Sequence, residues 1–255
     1  MKQITLTTAA GKRLIGRAMA SCAAIREALH SGTVVIVAGT TNGYCAEEIL
    51  KSIGQAEGFS RDRFFRGIVL PPYRPRTEAG TLPDTSGFPG DVIIRKGIWE
   101  KGKTIFDVVD ELKEGDVILK GANAVDMAHQ KAAILIGHPQ GGTVMAALRA
   151  HIGRRVRLFI PVGLEKRVPG NLDELAQKLN APGIKGYRYL TINGEIVTEI
   201  EALRMLTGVK AELVAAGGVA GAEGALILNI EGSRDEEEKA QSLWAEIKDE
   251  APFNL

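Results

Sequence analysis

The sequence predicts an α/β protein: a mostly parallel sheet covered by helices on both faces, followed by a small α+β unit of ferredoxin-like type. Three observations predict it. Short β-branched runs such as residues 33–38, TVVIVA, alternate with stretches of helical periodicity, the pattern of strands buried between two helix layers. Beyond about residue 182 the rhythm changes to strand, helix, strand, strand, helix. The chain's 255 residues match one large domain or two small ones, and the change of rhythm divides it into 1–182 and 183–255.

Leu14, Ala18, Cys22, Ile25 and Leu29 recur at spacings of four, four, three and four, one apolar stripe of a first helix. Cys22 then lies on the buried face as a small inert hydrophobe. Residues 33–38 form the first strand, bounded by glycines. A helix follows with Ile49, Leu50 and Ile53 inward, and residues 67–70 read as a strand. Residues 71–90 hold five of the ten prolines, a long loop of the kind that forms lids or binding loops. Arg74 and Arg76 lie in it. Residues 91–95 return to strand. Thr104 caps a helix with Asp107 three residues on, and Ile105, Val108, Val109 and Leu112 form its stripe.

Residues 117–120, 132–136 and 156–161 are three more strands, with helices at about 143–152 and 171–180, the latter capped by Asn171 with Glu174. In the second region, residues 187–192 form a strand ending at the Asn193-Gly194 turn signal. Thr198 and Glu201 make a capping box for a helix ending near Gly208. Residues 210–216 and 225–230 are strands joined by a glycine-rich turn. The last helix spans 235–248, and the acidic run Asp235 to Glu238 suits its amino end.

Composition excludes several function classes. Thirty-two basic and 31 acidic side chains leave a net charge of +1, without the basic excess on which non-specific nucleic-acid binding rests. No run of 18 apolar residues spans a membrane. The start has no apolar stretch suited to secretion, so a cytoplasmic location is expected. Two cysteines build neither a disulfide scaffold nor a four-thiolate zinc site. The four histidines lack metal-ligand spacing, so neither metal nor cofactor is expected.

In open parallel sheets, ligands bind beyond the carboxyl ends of the strands. Four predicted strand ends carry glycine with small or polar residues. Gly39, Thr40, Thr41, Asn42 and Gly43 follow the first strand. Gly121, Asn123 and Asp126 follow residue 120; Gly137, His138, Gly141, Gly142 and Thr143 follow residue 136; Glu165 and Lys166 follow residue 161. The first and third loops lead into helices. Free backbone N–H groups and a positive helix end would there hold a phosphate, carboxylate or pyrophosphate. The residues 137–143, GHPQGGT, lack the Gly-Lys-Ser/Thr ending of a P-loop, and no GxGxxG is present.

Asp126, Glu165 and His138 are the candidate catalytic groups. Each has a structural alternative: Asp126 caps the next segment, His138 bonds its own loop, and Glu165 with Lys166 is a surface pair. Cys45, at a helix start, is a nucleophile or a packed thiol. Lys12 and Arg13 either reach an anion or form a solvated helical turn. Glu223, in a turn with four glycines among eight residues, is an acid, a nucleophile or part of a flexible hairpin.

The loop at 33–50, the segment VILKGANAVD at 117–126, the loop at 137–143 and the strand ending at Pro161 stand in one order. That order resembles the ribose-5-phosphate isomerase, glucosamine-6-phosphate deaminase and CoA-transferase-like superfamily, over about residues 33–165. The resemblance implies a Rossmann-like main domain, a phosphate on the early glycine/threonine loop and, as in the ribose-phosphate isomerases, a ferredoxin-like unit. The chain departs from the pattern at Asn123, where the family's acid/base aspartate would fall. Glu223 lies outside the region where a CoA-transferase keeps its glutamate nucleophile.

The combined expectation is a protein that binds a small anionic, phosphorylated metabolite at the carboxyl edge of the sheet. Sugar-phosphate isomerisation, non-catalytic sensing or regulation, and acyl-CoA transfer or hydrolysis are the three readings. Nucleic acid and membrane are not expected partners; a second copy of the chain, in a homodimer or larger assembly, is.

Overall fold

A computed structural model describes residues 2–66, 69–75, 77, 82–84 and 87–252. The first half contains β1 (Lys2–Leu6), α1 (Thr8–Ser21), α2 (Ala23–Ser31), β2 (Thr33–Ile36) and α3 (Thr40–Ser52). Then come β3 (Val92–Arg95), β4 (Ile98–Trp99), α4 (Ile105–Val108), β5 (Val117–Leu119), β6 (Ala124–Asp126) and β7 (Lys131–Ile136). The second half contains α5 (Gly142–Arg154), β8 (Arg157–Pro161), α6 (Leu172–Leu179), β9 (Arg188–Ile192) and β10 (Glu195–Val197). Last are α7 (Glu199–Thr207), β11 (Lys210–Ala216), β12 (Leu226–Glu231) and α8 (Arg234–Ile247).

The fold is α/β, with mixed pairing. The central sheet runs β10-β8-β5-β2-β3-β4. Its first four strands are parallel, whereas β3 is antiparallel to β2 and β4 to β3. Two antiparallel sheets flank it, β1-β12-β11 and β6-β7-β9. The expectation of a mostly parallel sheet therefore holds only for four strands. The segment at 132–136, read as one of its members, instead forms a hairpin with β6 and pairs with β9.

Both faces of the central sheet are buried, as the β-branched runs require. Alternation along β2 sends Val34 and Ile36 to one core with Leu14, Ile15 and Ile49. It sends Val35 to the other, with Ile105, Ile134 and Ala147. Helices α1, α2, α3 and α7 cover the first face. Helices α4 and α5 with the β6-β7-β9 sheet cover the second.

Strands after residue 182 are divided among all three sheets, and β1 pairs with β12 across almost the whole chain length. The expected ferredoxin-like unit is thus not set apart at 182 by strand pairing. After the Asn193-Gly194 turn, β10 does not fold back on β9; it lies parallel to β8. Gly194 lets it do so, since a Cβ there would sit 2.9 Å from the Leu158 carbonyl oxygen.

The first helix is two helices. Cys22 adopts φ −63°, ψ 125° and ends α1 while starting α2. It is half-buried rather than buried because it stands at the junction of the two helices, packed at the edge of the core that their stripes share. Residues 67 and 68 of the strand expected at 67–70 lie outside the described residues, as does Arg76. Val69 and Leu70 are not in a strand. Thr104, Asn171, Thr198 and Ser233 cap their helices, three of them in reciprocal capping boxes. No helix among the described residues is long and apolar enough to cross a membrane.

Candidate anion-binding site

A cavity of about 250 Å³ lies between the end of β5, strand β7 and the amino end of α5. Lys120 and Asn123 line it from the β5 side. Ile134, Leu135 and Ile136 form its apolar floor, and Gly137, His138, Gly141, Gly142 and Thr143 form the loop and first helical turn above. Arg66 and Phe106 close the remaining sides. Cavities of a few hundred Å³ with few polar groups in an apolar lining are typical small-molecule sites.

Its polar groups are mostly donors. Gly141 is the amino cap of α5 at φ 77°, and no side chain caps the helix. The first-turn N–H groups have no partners within a helix, and Gly142, Thr143 and Val144 of that turn line the cavity. Burial pushes the Lys120 ammonium down to about 8, reinforced by Arg66 and Lys166 and opposed by Asp91. Lys120 Nζ donates to its neighbour Gly121 O at 3.3 Å. Among the described residues, Asp91 is the carboxylate whose charge acts on Lys120, and it is already engaged. It accepts from Ala38 N at 2.9 Å and Ile105 N at 2.8 Å, and Arg66 Nη2 lies 3.3 Å away. Asp91 thus balances Arg66, while Lys120 and the helix amino end meet no carboxylate among the residues lining the cavity, which favours an anion.

Six of the expected site residues meet here: Asn123, Gly137, His138, Gly141, Gly142 and Thr143. Asn123 also accepts from Leu135 N through Oδ1 at 3.0 Å, fixing β7 against the β5 end. His138 Nδ1 accepts from Gln140 N at 3.2 Å while the ring lines the cavity. Gly121 precedes the wall but does not line it. Lys120 and Arg66 escaped the sequence reading. Lys120 reads as the last residue of a strand, and Arg66 stands far from every glycine loop.

The first loop lies apart from the cavity. Gly39 N donates to Phe64 O, and a Cβ on Gly43 would meet Arg61. Thr40 begins α3 and Thr41 is buried behind it. Asn42 is a structural clamp: its Nδ2 donates to Val37 O at 2.7 Å and to Leu119 O at 3.0 Å, joining the ends of β2 and β5. Asn42→Ala should therefore cost about 1–3 kcal/mol of stability. Phosphate affinity should be unchanged in denaturant and titration measurements; a parallel loss of affinity at full stability would return Asn42 to the site.

Asp126 is likewise outside the cavity. It accepts from Ala128 N and His129 N, and His129 Nδ1 lies 2.6 Å from Oδ2. Burial would raise this carboxyl, but those bonds hold it below the ordinary value, the bonding pattern of a turn cap. Cys45 is fully buried, and burial pushes its thiol far up, so the packed alternative holds. Glu223 accepts from Gly221 N at 3.0 Å within its own turn.

Glu165 and Lys166 belong to a second, half-buried cluster beside α1. Lys12 Nζ lies 3.7 Å from Glu165 Oε1. Lys166 Nζ donates to Ala122 O at 3.1 Å, and burial pushes its ammonium down against the pull of Glu165. Glu199, unnoticed in the sequence, accepts from Leu164 N at 2.9 Å through Oε2. Among the described residues, none donates a hydrogen bond to Glu199 Oε1 or to either oxygen of Glu165. Among the described residues, no group of three or more His, Cys, Asp or Glu is placed to hold a metal ion.

No family model, curated protein or solved structure matches the chain. The chemistry of the site therefore rests on its own residues.

Proposed function

We propose that the chain binds a small phosphorylated metabolite in the cavity between β5, β7 and α5. The observation that carries this reading is the convergence of Lys120, Arg66 and the uncapped amino end of α5 on one cavity. The phosphate would take the α5 N–H groups and Thr143, with Lys120 as its counter-ion. We read the four parallel strands with their covering helices as a Rossmann-like core, in keeping with the resemblance to the sugar-phosphate isomerase and CoA-transferase-like superfamily. Of the three groups proposed to move protons, His138 alone lines the cavity. Binding is therefore better supported than isomerisation, and a chain that senses the metabolite fits the same geometry.

Thermal unfolding against inorganic phosphate and ribose 5-phosphate tests this. Ligand at about 100 times its Kd adds roughly 2.7 kcal/mol, a shift of about 5–10 °C for a chain of this size. Lys120→Met should weaken binding about 10- to 100-fold, the cost of a charge-assisted contact. Phosphate also stabilises proteins without binding to a site. A shift equal in wild type and Lys120→Met, or no shift at all, overturns the proposal.

A further inference from the structure

A second cavity of about 490 Å³ adjoins the first and shares Phe106, His138 and Gly142 with it. The character changes across that shared wall. Met145, Ala146 and Leu148 of α5 line the second cavity with Phe106 of α4. Phe106 is 55% exposed and Met145 48% exposed, although neighbouring Ile105 and Val144 are buried in the core. Gly141 leaves room for Met145, whose side chain occupies the space that a Cβ at Gly141 would fill. Arg149, at the same cavity, is paired with Asp110 at 2.9 Å. Its charge is therefore already matched; Gln140 and His138 form the polar rim, and Phe106 with Met145 gives the wall its large exposed apolar surface.

An inorganic phosphate or a bare sugar phosphate would use the first cavity and leave this apolar shelf wet. Exposed apolar side chains grouped at the mouth of a polar site mark a place where apolar ligand surface is covered. A phenyl ring and a methionine lining one cavity offer a flat ring an apolar, polarisable surface to stack on. We infer that the ligand is a phosphoester carrying an aromatic ring of nucleobase size, its phosphate at Lys120 and α5 and its ring on Phe106 and Met145. This inference rests on the anion reading of the first cavity and adds the ligand's other half.

Titration of the full chain with AMP and with ribose 5-phosphate separates the two halves, because the compounds share the ribosyl phosphate and differ by the base. AMP should bind about tenfold tighter or more, the usual worth of one stacked base. Met145→Gln, at a half-exposed position that lines the second cavity and not the first, should cut AMP's advantage and leave ribose 5-phosphate unaltered, with folding checked by the unchanged melting temperature of the unliganded chain. Phe106→Ala, at the wall shared by both cavities, should cost AMP more than it costs ribose 5-phosphate. Equal binding of the two compounds to wild type overturns the inference and leaves the anion site standing. So does an equal loss for both in Phe106→Ala. Binding of neither compound overturns both.

Discussion

Replacing Arg13 by methionine should destabilise the fold by about 3–5 kcal/mol, the cost of breaking a buried charge network from one side. Arg13 is only 5% exposed, although it stands in the first turns of α1 beside Lys12. Its guanidinium reaches three carboxylates: Glu48 at 2.5 Å, Glu47 at 2.6 Å and Glu250 at 2.9 Å. It also lies 4.8 Å over the Tyr44 ring, and Arg61 occupies the other cation position at 4.7 Å. Arg61 bonds Glu47 and Glu250 as well. Without Arg13, three half-buried carboxylates would share Arg61 and the more exposed Lys51. The tie between α1, α3 and the segment after α8 would go with it. Arg13→Lys should lose less, since charge remains but the planar fork does not. Burial raises the Glu47 carboxyl, but Arg13, together with Lys51 and Arg61, outweighs it and holds it below the ordinary 4.5. A depressed carboxyl contributes stability that is present above its unfolded value and lost as pH falls through the folded one. The gap between wild type and Arg13→Met should therefore narrow below about pH 4.5. Urea unfolding at pH 7 and pH 4 measures both points; a loss under about 1 kcal/mol at pH 7 would contradict the network's weight.

The network shows where a sequence stops being legible. Capping is local chemistry, so Thr104 with Asp107 and Thr198 with Glu201 announce their helices within four residues, and the structure places both boxes there. Apolar periodicity likewise marks the buried sides of α1 and α3. It does not mark the break at Cys22, because the stripe continues in phase through α2. Pairing partners are a long-range property. β1 is short, and its alternation Ile4-in, Leu6-in is completed by β12, more than 200 residues away. Residues 132–136 have the composition of a buried parallel strand, and only the neighbouring β6 and β9 make it antiparallel. The cavity was half legible for the same reason. Its glycines, His138 and Thr143 sit in one local loop, whereas Arg66 and Lys120 arrive from elsewhere and are recognised only by what they face. Arg13 and Glu199 read as ordinary solvated charges until the chain closes over them.

Glu199→Gln should stabilise the protein on the alkaline side and leave it unchanged on the acid side. Glu199 is fully buried at the start of α7. Burial pushes its carboxyl up to about 8, the charge of Glu165 pushes the same way, and the Leu164 N–H and Lys12 pull against them. The folded state therefore keeps a proton on Glu199 at neutral pH, while the unfolded chain releases it near the ordinary 4.5. The folded state binds more protons across that window, so stability falls as pH rises from about 4.5 to about 8. A glutamine has the shape of the protonated acid, can still accept from Leu164 N, and releases nothing. The variant should match wild type near pH 5 and exceed it by roughly 1–3 kcal/mol near pH 8, below the limit of about 1.4 kcal/mol per pH unit. Other shifted groups act outside the window. The depressed carboxyls of Glu47 and Asp126 act on its acid side. The folded value of Lys120, near 8 against an ordinary 10.5, acts above it. Urea midpoints of wild type and Glu199→Gln from pH 5 to pH 8 give the difference directly. Parallel curves would mean that Glu199 is ionised in the folded state, with Lys12 and Lys166 balancing both glutamates; a widening gap places a neutral acid beneath the strand ends, beside the two lysines.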